Sequence, residues 1–345
     1  MEKKNENKAL VKRTSTEIVK VGNSLNITNK ILGENFSRAV SRILFKGELV
    51  NELKELGSIK SISSDSNNTF IYATSEKSSI SIFDANKKQR IEKNNFNGHF
   101  ETVAFNPVNN TIAIASGRNI YITEKIGYKI IQTLEGHERE INALTFSNDG
   151  RYLFSGSSDK TIRVWEIDEG YSFYLGSNSW RLTKSLKGHN WLINSLKISN
   201  DNKYLYSGGW DSYLIKWDIN TLSEFDRFDC KATSGIKCLE LTNNGKYIIT
   251  GGGDQTVRVF DTTNHNLVSE SQGHKDFVSC LTVSSNDKIV FSGGWDGQIF
   301  CWLLPELQLI KGYSAHDGRI NSIKLSIDNS YLLSGCSDGD LKCWI

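Results

Sequence analysis

The 345-residue sequence predicts an all-β fold assembled from repeated sheets. Three observations carry that prediction. A phrase recurs: "GGWDSYLIKW" at 208–217 returns as "GGWDGQIFCW" at 293–302. Apolar residues alternate with polar ones in short runs, the period of a half-buried strand. Turn clusters such as "SNDG" and "TNNG" separate those runs, and no copy carries a sustained helical stripe.

The clearest copies open at 136, 188, 273 and 315. In each, His and Asp stand 22 residues apart: His137/Asp159, His189/Asp211, His274/Asp296 and His316/Asp338. Six residues further on come Trp165, Trp217, Trp302 and Trp344. A fifth copy, 234–261, keeps Asp254 and the same step to Phe260, with Ala232 where the His should stand. A period of about 40 residues marks a repeat architecture. In the first strand of a copy the apolar positions step by three and then two, as in Ile141, Leu144, Phe146 and in Val278, Leu281, Val283. One extra residue in a period of two predicts a β-bulge.

With their "GH" opening, "SGS-D" turn and closing "VW" or "KWD", these copies resemble the WD40-repeat family. The resemblance covers 136–345 well and implies a β-propeller with one four-stranded blade per repeat. Two degraded copies bring the count to seven. In 98–123, His99 stands three residues closer to Phe105 than His137 does to Phe146, and the turn Asp is missing. In 57–85, Lys77 takes the Asp position and Phe83 the Trp position. The last copy ends on its third strand, "LKCWI", so a strand at about 41–50, "SRILFKGELV", is expected to complete that blade and close the ring. The expectation is thus a seven-bladed propeller over 41–345, with repeats at about 57–85, 98–123, 136–167, 188–219, 234–261, 273–304 and 315–345. An eight-bladed reading would use 16–50 as a further degraded copy. Residues 1–40, polar and rich in Lys, Asn and Ser, are expected to form a flexible extension.

The resemblance also implies a hydrogen-bonded tetrad of His, Ser, Asp and Trp in each full copy. The positions are His137, Ser155, Asp159, Trp165; His189, Ser207, Asp211, Trp217; His274, Ser292, Asp296, Trp302; and His316, Ser334, Asp338, Trp344. A half-buried Asp needs donors, and a turn amide, a His N–H and a Ser hydroxyl supply them. One letter of the phrase exceeds that need. Trp210 and Trp295 precede the turn Asp where other copies place Ser158, Gly253 and Ser337. By the family's strand order this turn shares a rim with the "GH" loops, which carry Trp191, Phe277, Arg139 and Arg319. Aromatics and Arg are enriched in binding hot spots, so these six residues form the expected partner-binding set. The insertion 168–184, with Tyr171, Phe173, Tyr174 and Trp180, is either a second binding element or a loop folded onto its own blade.

Composition narrows the function. Charged residues are 23% and the net charge is +2, so there is no general attraction to nucleic acid or to a membrane. No 18-residue apolar run suggests a membrane span, and the first residues lack a secretory apolar segment. The expectation is an intracellular protein, cytoplasmic rather than nuclear, with six reduced cysteines packed in strands. "GCSDG" at 335–339 matches a hydrolase nucleophile elbow, but neither a helix nor a His follows. "GGGDQT" at 251–256 lacks the Lys and the helix of a phosphate loop. No Cys-x-x-Cys or His-x-x-x-His pair occurs, and the tetrad histidines should lie far apart around a ring. The resulting reading is a non-catalytic scaffold or adaptor for protein or peptide partners, a monomeric propeller within a complex, with no cofactor and no metal. The alternative is a substrate- or peptide-recognition subunit of a multisubunit enzyme complex, such as a ubiquitin ligase, chromatin or phosphatase assembly.

Overall fold

The computed structural model describes residues 49–54, 57–64, 69–74, 79–84, 87, 89–95, 99–109, 111–125, 127–168 and 179–345. Their regular structure is β throughout. Strand β1 is Leu49–Lys54. The next sheet holds β2 (Ile59–Ser64), β3 (Thr69–Thr74), β4 (Ser79–Asp84) and β5 (Gln89–Asn95). It is followed by β6 (Phe100–Phe105), β7 (Thr111–Ser116), β8 (Asn119–Glu124) and β9 (Ile130–Leu134). Then come β10 (Ile141–Phe146), β11 (Tyr152–Ser157), β12 (Thr161–Asp168) and β13 (Ser179–Lys187). A further sheet holds β14 (Ile193–Ile198), β15 (Tyr204–Gly209), β16 (Tyr213–Asp218) and β17 (Ser223–Asp229). Another holds β18 (Ile236–Leu241), β19 (Tyr247–Gly252), β20 (Thr256–Asp261) and β21 (Leu267–Gln272). The next holds β22 (Val278–Val283), β23 (Ile289–Gly294), β24 (Gln298–Leu303) and β25 (Gln308–Ser314). The last strands are β26 (Ile320–Leu325), β27 (Leu332–Cys336) and β28 (Asp340–Trp344).

The expected seven-bladed ring closed by 41–50 needs correction. Among the described residues, six four-stranded blades are each built from one continuous stretch of chain. The remaining sheet is a composite, in the order β1-β28-β27-β26, with strands from opposite ends of the described chain. Its outer strand is Leu49–Lys54; of the expected 41–50, only residues 49 and 50 lie among the described residues. The register gives the reason. Leu53 stands opposite Leu341 and packs against the cluster of Ile59, Phe83, Leu333 and Leu341, while Glu52 meets Lys342 at 3.5 Å. The eight-bladed alternative and the flexible extension rest on residues 1–48, which lie outside the described residues.

The first strands of the sheets, β2, β6, β10, β14, β18, β22 and β26, neighbour one another in that order, and β26 packs back against β2. Each carries a bulge near its start, between Ile141 and Ala143 in β10 and between Val278 and Cys280 in β22. The residue inside the bulge faces the next sheet. Asn142 donates to the Ile193 carbonyl at 2.9 Å, Asn194 to Ile236 at 2.9 Å, and Asn321 to Ile59 at 2.9 Å across the closure. The apolar core lies between blades, not within them. Ala143, Phe154 and Ile162 of one blade pack with Ile193, Leu196 and Trp217 of the next. Fully burying such a side chain contributes about 1.5–3 kcal/mol, so each blade depends on its neighbours.

Candidate functional site

Three blades carry a closed hydrogen-bond chain. His Nδ1 lies 2.7 Å from Asp159, 2.9 Å from Asp211 and 3.0 Å from Asp296 in the blades of His137, His189 and His274. His Nε2 lies 2.7, 2.7 and 2.8 Å from Ser155, Ser207 and Ser292 Oγ. Trp165, Trp217 and Trp302 Nε1 donate to the same hydroxyls at 2.9, 2.8 and 2.8 Å. One proton arrangement satisfies every group: Trp N–H to Ser oxygen, Ser O–H to His Nε2, and His Nδ1–H to the carboxylate. The backbone amides of Glu138, Asn190 and Lys275 add a donor to each Asp. The chain therefore ties the loop before the first strand to the turn between the second and third. In the fourth copy His316 and Trp344 keep their bonds to Ser334 at 2.7 and 2.8 Å, but His316 Nδ1 is buried without a partner. Burial, and then the charge of Lys342, hold the His316 pKa down at about 4.

Burial acts to raise the carboxyls of Asp211 and Asp296, but the hydrogen bonds from His189 and His274, with nearby amides, outweigh it and hold both below the usual value of 3.8. Asp159 is held lower still by His137 and Thr161 against the same burial. The unfolded chain therefore binds protons first as pH falls. This part of the stability is complete above about pH 4 and is lost as pH drops toward the folded values. The urea midpoint is expected to fall from about pH 7 to pH 4, as the unfolded chain takes up the proton that folded His316 refuses until about pH 4, and to fall further below about pH 4 as the carboxyls follow, with a shallower fall below pH 4 in Asp211→Asn; equal slopes there in the two proteins would contradict this origin.

The copy with Ala232 in place of His solves the problem differently. Arg258 of β20 reaches Asp254 at 2.8 Å, and both side chains are nearly buried. The Thr233 amide also donates to that carboxylate. Nothing in the repeat spacing announces this Arg, which stands where the other tetrad copies have Arg163, Ile215, Phe300 and Lys342.

The turn after the second strand and the "GH" loop share one rim. The amides of Ser158, Trp210, Trp295 and Ser337 donate to the carbonyls of Glu140, Leu192, Phe277 and Arg319. On this rim the Trp210 and Phe277 rings lie 6.4 Å apart, Phe277 stacks on Trp295 at 4.5 Å, and the Arg319 guanidinium sits 4.7 Å from the Trp295 ring. Four of the six expected partner-binding residues thus form one row. Gly253 makes the row possible, because a Cβ there would stand 2.6 Å from the Phe277 ring. Trp210 is 41% exposed, whereas Phe277 and Trp295 are half-buried. Trp191, 57% exposed, and exposed Arg139 lie in "GH" loops of earlier blades, and no ring contact joins them to the row. Of the insertion, residues 169–178 lie outside the described residues. Trp180 is buried against Phe146, and its backbone pairs with the Gln132 side chain in both directions.

One member of the row, Trp295, also lines an axial channel of 590 Å³. Sequence reasoning missed its charges: Lys60, Glu101, Lys197, Lys237, Glu240 and Lys324. They sit on first strands at positions that carry no motif. Lys197 pairs with Glu240 at 2.8 Å and Lys60 with Glu101 at 3.9 Å. Burial pushes the Lys237 pKa down; the charge of Lys197, then burial, does the same for Lys324. Ser337 of "GCSDG" lies in the β27–β28 turn, and "GGGDQT" spans the β19–β20 turn. None of the six cysteines is in a disulfide, and all are buried. No helix among the described residues is long and apolar enough to cross a membrane.

Comparison with known proteins agrees with this geometry. The family model "WD domain, G-beta repeat" matches residues 128–166 and 180–218, and "tRNA methyltransferase TRM82 WD40 domain" matches 234–327. Protein HIR1 of Yarrowia lipolytica is 31% identical over 142 residues, 39% of this chain and 13% of that protein. The small ribosomal subunit protein RACK1 of Caenorhabditis elegans is 38% identical over 94 residues, 27% of this chain and 29% of that protein. Protein HIRA of Dictyostelium discoideum is 32% identical over 94 residues, 27% of this chain and 8% of that protein. The chain thus spans less than a third of the length of these relatives. Recurring spacing, radial four-stranded sheets and these matches converge: the chain belongs to the WD40-repeat family and folds as a β-propeller.

Proposed function

We propose that this propeller is a non-catalytic scaffold that holds a protein partner on the rim of its "GH" loops. The observation that carries the reading is the row Trp210–Phe277–Trp295–Arg319, with exposed Trp191 on the same rim. Aromatic planes and a guanidinium bury much area with few rotors to freeze, which is why they anchor interfaces. The tetrads of His189 and His274 hold the loops and turns that present Trp191, Trp210, Phe277 and Trp295, which favours a rim ordered before binding. A second reading has a specific support. The match of 234–327 to the WD40 domain of a tRNA methyltransferase suits a recognition subunit within an enzyme assembly.

Affinity purification with the wild-type chain and a Trp191/Trp210/Trp295 triple alanine variant tests the rim. Each hot-spot loss of about 2 kcal/mol is roughly a 30-fold drop in affinity, so the wild-type partners should vanish while the urea midpoint holds. Full recovery of the same partners by the variant sinks the rim. Enzyme subunits among the lost partners favour the second reading, and partners without enzymes favour the first. Because Trp295 is half-buried, Trp191→Ala with Trp210→Ala serves as a milder variant.

A further inference from the structure

The composite sheet departs from the three complete tetrads at one atom. There, His Nδ1 meets the turn Asp at 2.7–3.0 Å. His316 is 5% exposed, and its Nδ1 has no hydrogen-bond partner, although Nε2 keeps its bond to Ser334. Asp338 instead accepts from its neighbour Ser337 at 2.9 Å, and its carboxylate packs against Gly318. Two residues peculiar to this copy flank the vacated contact. Cys336 stands where the others have Ser157, Gly209 and Gly294, and Asp340 where they have Thr161, Tyr213 and Gln298. At that second position the Thr161 amide and hydroxyl donate to Asp159 at 2.9 and 2.7 Å. A carboxylate there repels Asp338 instead. The ligand atoms of His316, Cys336 and Asp340 all lie within 4.8 Å of one another.

We propose that His316, Cys336 and Asp340 form a binding site for a divalent transition-metal ion of the zinc class. The donor set is one imidazole nitrogen, one thiolate and one carboxylate. Borderline-soft zinc favours that mixture, whereas calcium and magnesium select oxygen alone. Two anionic ligands offset the dipositive charge. Bond lengths of about 2.0–2.3 Å put tetrahedral donors roughly 3.3–3.8 Å apart, so side-chain rotations that contract the cluster by about 1 Å complete the geometry. Lys342 is the opposing charge, and it is engaged by the Ala315 carbonyl at 3.0 Å and Glu52 at 3.5 Å. The ion would join the "GH" loop to β27 and β28, in place of the missing His–Asp bond. Sequence reasoning expected no metal because no Cys-x-x-Cys or His-x-x-x-His pair occurs and the tetrad histidines lie apart around the ring.

Titration of the metal-free full chain with zinc chloride by calorimetry, and with cobalt(II) by absorption, tests the site. One equivalent of zinc should bind, raise the melting temperature and, as cobalt, show a thiolate charge-transfer band. Cys336→Ser should abolish the band, and both Cys336→Ser and Asp340→Asn should weaken zinc by at least about 10-fold, the loss that even outer partners of a metal ligand produce. Circular dichroism checks that each variant folds. If the wild type binds no zinc, the proposal fails whatever the variants do. If Cys336→Ser binds zinc with unchanged affinity, the metal sits elsewhere and the proposal fails as well.

Discussion

A chain lacking residues 1–55 is expected to lose about 5 kcal/mol of stability and to self-associate. Strand β1 pairs with β28 from Leu49↔Trp344 to Lys54↔Asp340. Removing it deletes the inter-strand hydrogen bonds of that five-pair ladder, at about 1 kcal/mol each. It also uncovers the side of the cluster where Leu53 packs beside Ile59, Phe83 and Leu341. That loss is comparable with the whole stability of many domains, about 5–15 kcal/mol. The truncation also leaves β28 as an open edge, a template for pairing with a second copy. Urea denaturation reads the first effect and light scattering the second. A chain lacking only residues 1–40 keeps β1 and is the control. Equal midpoints for the two truncations would show that β1 does not fasten the ring.

Ser207→Ala is expected to cost ~2–5 kcal/mol, far more than a lost hydroxyl at the surface. Ser207 is wholly buried and serves two partners: it accepts from Trp217 Nε1 at 2.8 Å and meets His189 Nε2 at 2.7 Å. The alanine leaves both buried nitrogens without a partner. Each orphaned polar group costs about 1–3 kcal/mol, because the water it gave up on folding is not replaced. Ser223→Ala, at an exposed serine of the same blade, should stay within about 0.5 kcal/mol. Both are measured as shifts in the urea midpoint at constant slope. A small shift for Ser207→Ala would mean that a water or the nearby backbone takes up the two nitrogens, and that the chain from Trp217 to Asp211 carries little of the blade's stability.

Much of this molecule is legible because a blade is a local object. Alternation of apolar and polar residues specifies strands, and "SNDG"-type turns specify antiparallel returns. The step of three then two in Ile141, Leu144 and Phe146 marks the bulge, since a period of two admits no other placement of the extra residue. A spacing of 22 residues brings His189 and Asp211 to one end of one sheet, and the further step of six places Trp217 along β16, where its indole reaches Ser207 and through it His189. The channel charges were hidden for a related reason: Lys237 and Lys324 look like ordinary polar letters of a strand until the ring turns that face inward.

By itself, then, the sequence determined the repeat, the strands within it and the letters that meet inside each blade. The tertiary structure alone decided that Leu49–Lys54 completes the sheet of β26–β28. It also decided that Arg258 stands in for a missing His and that Phe277 lies over Gly253 to join Trp210 to Trp295. The physical reason is the range of the interaction. Periodicity encodes which face of a strand is buried, but an edge strand will pair with any compatible edge. Which one it meets is set by the geometry of closing the ring, where Leu53 finds an apolar cluster and Glu52 finds Lys342.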